Sequence, residues 1–316
     1  MKMKLFVGLI LLLALNMSAF ARGDGERLRF ATGGTAGAYY PFGTAIAQIV
    51  GEDTGMQITV QSTGASRANI QLLDAGEVEL AIVQNDVMDY AWRGVDLFEG
   101  ERTQNFRTIA GVYSEVCQII ANPASGIRSI ADLRGRSVSV GDAGSGVEFN
   151  ARQILAAYGI SFNDINMQNL SFAASADAMR DGRIDAFFAV SGIPTPAIID
   201  LATTRDILVL NVDGANAVQL MRDYPFYTEQ IIPAGTYRGM TTPATTVAVR
   251  ATIIAHANVS ENAIYNFTRS LFQNQPKLAE AHVRGADLSP SGAVQGISVP
   301  FHPGAERYLR EIGALR

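Results

Sequence analysis

FATGGTAGAYYPFG, residues 30–43, decides the reading of this chain. A short apolar run at residues 28–31 breaks into Gly33-Gly34-Thr35-Ala36-Gly37, then passes through two tyrosines and Pro41. Phe42, Ala45, Ile46, Ile49 and Val50 follow at helical spacing, and proline is tolerated in a first helical turn. The stretch predicts strand, glycine loop, helix. Such a loop aims unpaired backbone N–H groups and the positive end of a helix at whatever occupies the strand's C-terminal edge. It is an anion site.

Downstream, residues 58–61 form a short strand ending in Ser62-Thr63-Gly64-Ala65-Ser66. Ser66 is placed to cap a helix that turns Ile70, Leu72 and Leu73 inward and stops at Gly76. Residues 78–83 are near-continuously apolar, as in a buried parallel strand, and run into Gln84-Asn85-Asp86. Alternating strands and helices predict a doubly wound α/β sheet, whose ligands sit outside the C-terminal strand ends. The plan recurs. Residues 137–140 are a strand, Gly141–Gly146 a second glycine loop and residues 149–158 an amphipathic helix. LDAGEVEL at 73–80 also has an echo in MRDGRIDA at 179–186. Two copies of one plan imply two lobes. Residues 108–112 and 116–121 are apolar and β-branched without helical period, so they read as strands crossing between lobes, with residues 245–251 crossing back. Lobe one is then residues 22–112 plus 245–316, and lobe two is residues 113–244.

Of 316 residues, 48% are hydrophobic and 17% charged, which supports a sizeable core and argues against disorder. Lys2 and Lys4 precede an apolar stretch at 5–15, and Ala19-Phe20-Ala21 fits a small-x-small cleavage site. The expectation is a signal peptide, residues 1–21, cleaved after Ala21, and a periplasmic product; an uncleaved anchor is the alternative. Cleavage removes two lysines and no acids, so the net charge falls from −5 to −7. An acidic surface argues against nucleic-acid binding. Cys117 is the single cysteine, so no intrachain disulfide forms.

Neither glycine loop is a nucleotide motif: G-x-G-x-x-G fails on spacing and no G-K-[ST] follows. No cofactor or metal motif is present. Gly144-Ser145-Gly146 lacks the first glycine of a nucleophile elbow, so Ser145 reads as a donor at a helix N-terminus, as its cap, or as both. Asn69, Gln84, Asn85 and Asp86 have the chemistry to hydrogen-bond a ligand, although Asp86 serves equally well as a helix cap. Asp142 reads as a turn residue or as the partner of a ligand amino group. Tyr39 and Tyr40 face different ways, one into the cleft. His256, His282 and His302 all lie in the last quarter, the latter two as surface or helix residues.

FATGGTAGAYYPFGTAIA (30–47), QSTGASRANIQLLDAGEVELAIVQNDV (61–87), VSVGDAGSGVE (138–148), DGRIDAFFAVSGIPTPAI (181–198) and YPFYTEQIIPAGTY (224–237) stand in order along the chain. Together they resemble the TAXI-type solute receptors of tripartite ATP-independent periplasmic (TRAP) transporters. The resemblance implies a two-lobe periplasmic binding-protein fold of the second type, with two doubly wound sheets joined by crossing hinge strands. It implies a receptor without catalysis or cofactor; a monomer is expected. The expected ligand is a small carboxylate, glutamate-like or a 2-oxo dicarboxylate, handed to a sodium-driven TRAP membrane permease. Carried over by position, Gly34, Thr35 and Tyr39 contact the ligand, as do Ser66, Asn69 and Gln84, and Gly144, Ser145 and Gly146. The competing readings are an exported hydrolase or transferase using Ser145, and a ligand sensor without a transporter.

Overall fold

The structure, a computed structural model, describes residues 26–316. The expected signal peptide lies outside the described residues. The chain begins with β1 (Arg27–Ala31), α1 (Tyr39–Thr54), β2 (Gln57–Gln61), α2 (Ser66–Asp74), β3 (Leu80–Gln84) and α3 (Asn85–Arg93). A 16-residue strand, β4 (Phe106–Ala121), then leads to β5 (Ser137–Ser139), α4 (Gly146–Ala157), β6 (Asn166–Gln168), α5 (Phe172–Arg180), β7 (Ala186–Ser191) and α6 (Pro196–Thr204). After β8 (Leu208–Leu210), α7 (Gly214–Asp223) and β9 (Thr228–Ile232), β10 (Ala244–His256) returns. The chain closes with α8 (Glu261–Gln273), α9 (Gln275–Ala281), α10 (Pro290–Val294) and α11 (Pro303–Glu311).

The main sheet path runs β2-β1-β3-β10-β4-β7-β5-β6, with β8 on β4 and β9 on β10. Within it β1, β2 and β3 are parallel in the order 2-1-3, and β5, β6 and β7 repeat that order. The echo in the sequence is therefore an echo in topology. Gly76 and Gly182, which end the two matching helices, have φ of 70° and 72°, a conformation glycine takes without penalty.

Strands β4 and β10 pair antiparallel and are common to both halves. The sequence suggested two crossing segments at 108–112 and 116–121; the structure joins them, because Tyr113-Ser114-Glu115 keeps pairing with residues 249–251. Two buried clusters draw only on residues 28–113 and 251–309, including Phe30, Phe42, Ile82 and Phe267. Two others draw only on residues 116–249, including Ile119, Ile154, Phe187 and Phe188. The molecule thus has two lobes with separate cores.

Helix α1 covers the first core with Phe42, Ile46 and Val50 and stops at Gly55, whose φ is 76°. Gly43 lets it approach β1: a Cβ there would stand 2.7 Å from Cγ2 of Thr32. Thr32 is fully buried and its hydroxyl donates to the Gln61 carbonyl at 2.7 Å, so it has no room to retreat. Gly43→Ala is expected to destabilise the fold by roughly 1–3 kcal/mol through overpacking, measured by urea denaturation. An unchanged midpoint would show that the helix–strand contact is loose.

Candidate functional site

The glycine loop and the start of α1 form one wall of a cleft with a volume of about 230 Å³. Gly33 to Tyr39 line it from the first lobe, with Ser62 to Ser66 and Gln84. The second lobe supplies Asp142, Ser145, Gly146 and Val147, together with Ser171, Phe172, Val190 and Ser191. These lie at or just beyond the C-terminal ends of β1, β2, β3, β5, β6 and β7. Ser145 caps α4 by accepting from the Glu148 N–H at 3.2 Å, so it is both a cap and a wall of the cleft. The lining holds no lysine, arginine or histidine among the described residues. Whatever affinity it has for an anion comes from backbone N–H groups, hydroxyls and two helix N-termini.

Glu115 is a lining residue that sequence reasoning missed, as are Ser171, Phe172 and Val190. It sits in β4 between the two apolar segments, 2% exposed, and accepts a hydrogen bond from the Tyr39 hydroxyl at 2.5 Å. Burial pushes its carboxyl up to about 8, so it is largely protonated at pH 7. The signal was available as a lone acid flanked by strand-forming apolar residues. Tyr39 is thereby the tyrosine that faces the cleft, and burial raises its hydroxyl well above the usual phenol range. Asp142 lines the opposite side, its carboxyl raised by partial burial. Ala65 holds φ at 65°, unusual for a residue with a side chain, within the Ser62–Ser66 wall.

Of the expected site residues, Gly34, Thr35, Tyr39, Ser66, Gln84, Asp142, Ser145 and Gly146 line the cleft. Ser66 is not the cap of α2, since Ala65 holds that position; its hydroxyl instead accepts from the Gln84 N–H at 3.0 Å, tying α2 to the end of β3. Three residues fall outside the lining. Asn69 is fully buried and donates to the carbonyls of Thr32 and Ile82 at 2.6 and 2.7 Å, bracing two strand ends. Gly144 turns with φ 73° and gives its N–H to Glu148 at 2.6 Å. Asp86 lies one residue inside α3 and neither caps it nor reaches the cleft. His302 is not a surface residue: it is 1% exposed and caps α11.

Asp86 instead joins the lobes. Its carboxylate accepts from the Asn150 amide on α4 at 3.0 Å, and that amide also donates to the Tyr227 hydroxyl at 2.7 Å. Tyr227 donates to Gln153, whose amide donates to Tyr90 back on α3 at 3.1 Å. Nearer the cleft, the Ala38 N–H donates to the Ser191 hydroxyl at 3.2 Å, and the Ala197 N–H to the Ala36 carbonyl at 3.2 Å. Gly146 lies against the Gln84 carboxamide, where a Cβ would collide with it. The lobes are in contact.

A family model described as the NMT1-like family matches residues 30–313. Among solved structures, the alkanesulfonate-binding protein SsuA of Xanthomonas axonopodis pv. citri, bound to MOPS, aligns with a TM-score of 0.53 at 17% identity, covering 91% of this chain and 84% of that one. A binding protein component of an ABC phosphonate transporter from Pseudomonas aeruginosa gives 0.54 at 12% identity, over 84% and 80% of the two chains. A putative L-cystine ABC transporter from Listeria monocytogenes gives 0.52 at 15%, over 84% and 98%. At these identities the likeness is one of fold: the two-lobe periplasmic binding-protein architecture.

Burial raises the Asp86 carboxyl from 3.8 to about 6. The native state therefore holds this proton more tightly than the unfolded chain does. The resulting stabilisation is complete below the ordinary value and is lost as pH rises through about 6. It amounts to on the order of 3 kcal/mol. Asp86→Asn, which cannot titrate, is expected to melt with a shallower fall between pH 4.5 and 7.5 than the parent. Parallel melting curves for the two proteins would refute this.

Proposed function

We propose that this chain, which belongs to the NMT1-like family, is a periplasmic solute receptor that closes two lobes on a small carboxylate ligand and delivers it to a membrane permease. The observation that carries the reading is the cleft: two glycine loops, each leading into a helix N-terminus, face each other from separate lobes across a buried floor. Its volume lies below the roughly 300–1,000 Å³ of sites for drug-sized ligands, in keeping with an amino acid or short dicarboxylic acid. No helix among the described residues is long and apolar enough to cross a membrane.

The moving units in this proposal follow the two sets of cores, residues 26–113 with 251–316 and residues 116–249, turning about β4 and β10. Gly34, Thr35, Tyr39, Ser66, Gln84, Asp142, Ser145 and Gly146 supply the contacts. A protonated Glu115 keeps the floor neutral and gives it a hydroxyl that can donate to a carboxylate. The three structural relatives are named for binding or transport, which favours this reading over a hydrolase using Ser145. Ser145 is moreover engaged with the Glu148 N–H, and no histidine stands in the lining. The motifs argue for a TRAP permease of the TAXI type as the partner; two of the structural relatives are named as parts of ABC transporters. Uptake assays in membranes holding each permease class separate these partners.

A thermal-shift screen against amino acids, 2-oxo acids and dicarboxylates tests the binding role. A ligand at 100 times its dissociation constant adds about 2.7 kcal/mol to native stability. The shift is expected to shrink by more than half in Ser145→Ala or Gln84→Ala. The absence of any shift across the panel, in protein first unfolded and refolded to remove bound solute, would overturn the role. Deprotonation of Glu115 places a charge beside the ligand carboxylate, so affinity should fall about tenfold as pH rises through about 8. Glu115→Gln should bind with little pH dependence between 7 and 9, as read by calorimetry. An equal pH dependence in the variant would remove Glu115 from the floor.

A further inference from the structure

A second cavity, with a volume of about 340 Å³, lies across β4 and β10. Tyr113, Ser114 and Val116 line it, beside Glu115, which lines the cleft. Its donors are unusual. Arg250 stands opposite Ser114 in the strand ladder, and its Nε is buried without a hydrogen-bond partner. The Nε of Arg284 and the hydroxyl of the fully buried Tyr113 are unpartnered too. One acid faces them: Asp287 pairs with Arg284 at 2.8 Å and remains 37% exposed. Two guanidinium groups and one carboxylate leave the cavity with a surplus positive charge.

The backbone makes room for this cluster. A Cβ on Gly111 would stand 2.6 Å from the Arg250 Nε, and one on Gly292 would meet its Nη2. A Cβ on Gly192 would stand 2.8 Å from Cδ of Arg284 and 3.1 Å from the Tyr113 ring. A buried guanidinium Nε–H or phenol O–H without an acceptor is costly, and native interiors rarely leave one so. The missing chemistry is a compact group with several acceptor oxygens and a negative charge, which a guanidinium grips with two parallel bonds.

We propose that this cavity is a second ligand site, taking a small oxyanion such as sulfate, phosphate or a carboxylate on Arg250, Arg284 and the Tyr113 hydroxyl. Gln230 comes from the second lobe, whereas Arg284 comes from the C-terminal part of the first. The site is assembled across the hinge, so its occupancy and the arrangement of the lobes are linked, each biasing the other equally. The proposal is independent of what fills the cleft.

Titration of the purified protein with sulfate, against chloride at matched ionic strength, tests it by calorimetry. Saturable binding of one sulfate per chain is expected, at least tenfold weaker in Arg250→Gln and within twofold of the parent in Ser145→Ala. Sulfate behaving like chloride, or binding equally well to Arg250→Gln, would overturn the site. So would loss in Ser145→Ala alone, which places the ion in the cleft. If Arg250→Gln does not fold, crystals of the parent soaked in selenate decide the matter. An anomalous peak between Arg250 and Arg284 supports the site, and its absence there at full soaking defeats it.

Discussion

The ladder between β4 and β10 is the constraint on which the rest depends. It is a single antiparallel pairing running from Phe106–His256 to Val116–Ala248, yet its flanks belong to different cores. At one end β10 pairs with β3 and at the other β4 pairs with β7, so each lobe borrows one edge of the shared pair. Neither strand can be reassigned wholly to one half. Two irregularities in register, between Ala251 and Thr252 and between Ile253 and Ile254, interrupt the ladder on the first-lobe side. Bulges bend and twist a strand locally, which leaves flexure there while the hydrogen bonds on either side persist.

The same pair sorts the chemistry. Side chains alternate along a strand, so Glu115 faces the cleft while Ser114 and Val116 face the arginine-lined cavity. An acid inserted between two apolar runs is expensive to bury ionised, and burial answers by holding the proton on it. The cleft consequently offers a nearly neutral floor beneath two helix N-termini, without any side-chain cation among the described residues. The charged donors are concentrated on the far side of the strands. A strand one residue out of register would exchange these environments.

Much of this was legible in the sequence. The glycine loop, Pro41 in a first helical turn, the apolar run of β3 and the duplicated helix–glycine–strand unit are local signals, and local periodicity reads them. The roles of single polar residues were less so, because each depends on a partner distant in sequence. Asn69 was expected at the ligand, but its amide is spent on Thr32 and Ile82, carbonyls that become neighbours only when β1 and β3 pair. Asp86 was open between binding and capping and does neither; its partner, Asn150, lies on the other lobe. Glu115 was passed over because the runs around it read as strands, and what makes it part of the site is Tyr39, far earlier in the chain.

The network from Asp86 through Asn150, Tyr227 and Gln153 to Tyr90 has a kinetic side as well. Every member is a protein group, so these bonds favour contact between the lobes whether the cleft is filled or empty. If the proposed receptor role holds, an empty molecule then spends part of its time in the shape that a membrane partner reads. In that proposed role such molecules are decoys, occupying the docking surface and delivering nothing. On the same proposal, uptake should depend on the ratio of receptor to solute, rising with receptor abundance while solute is plentiful and falling once empty copies outnumber loaded ones.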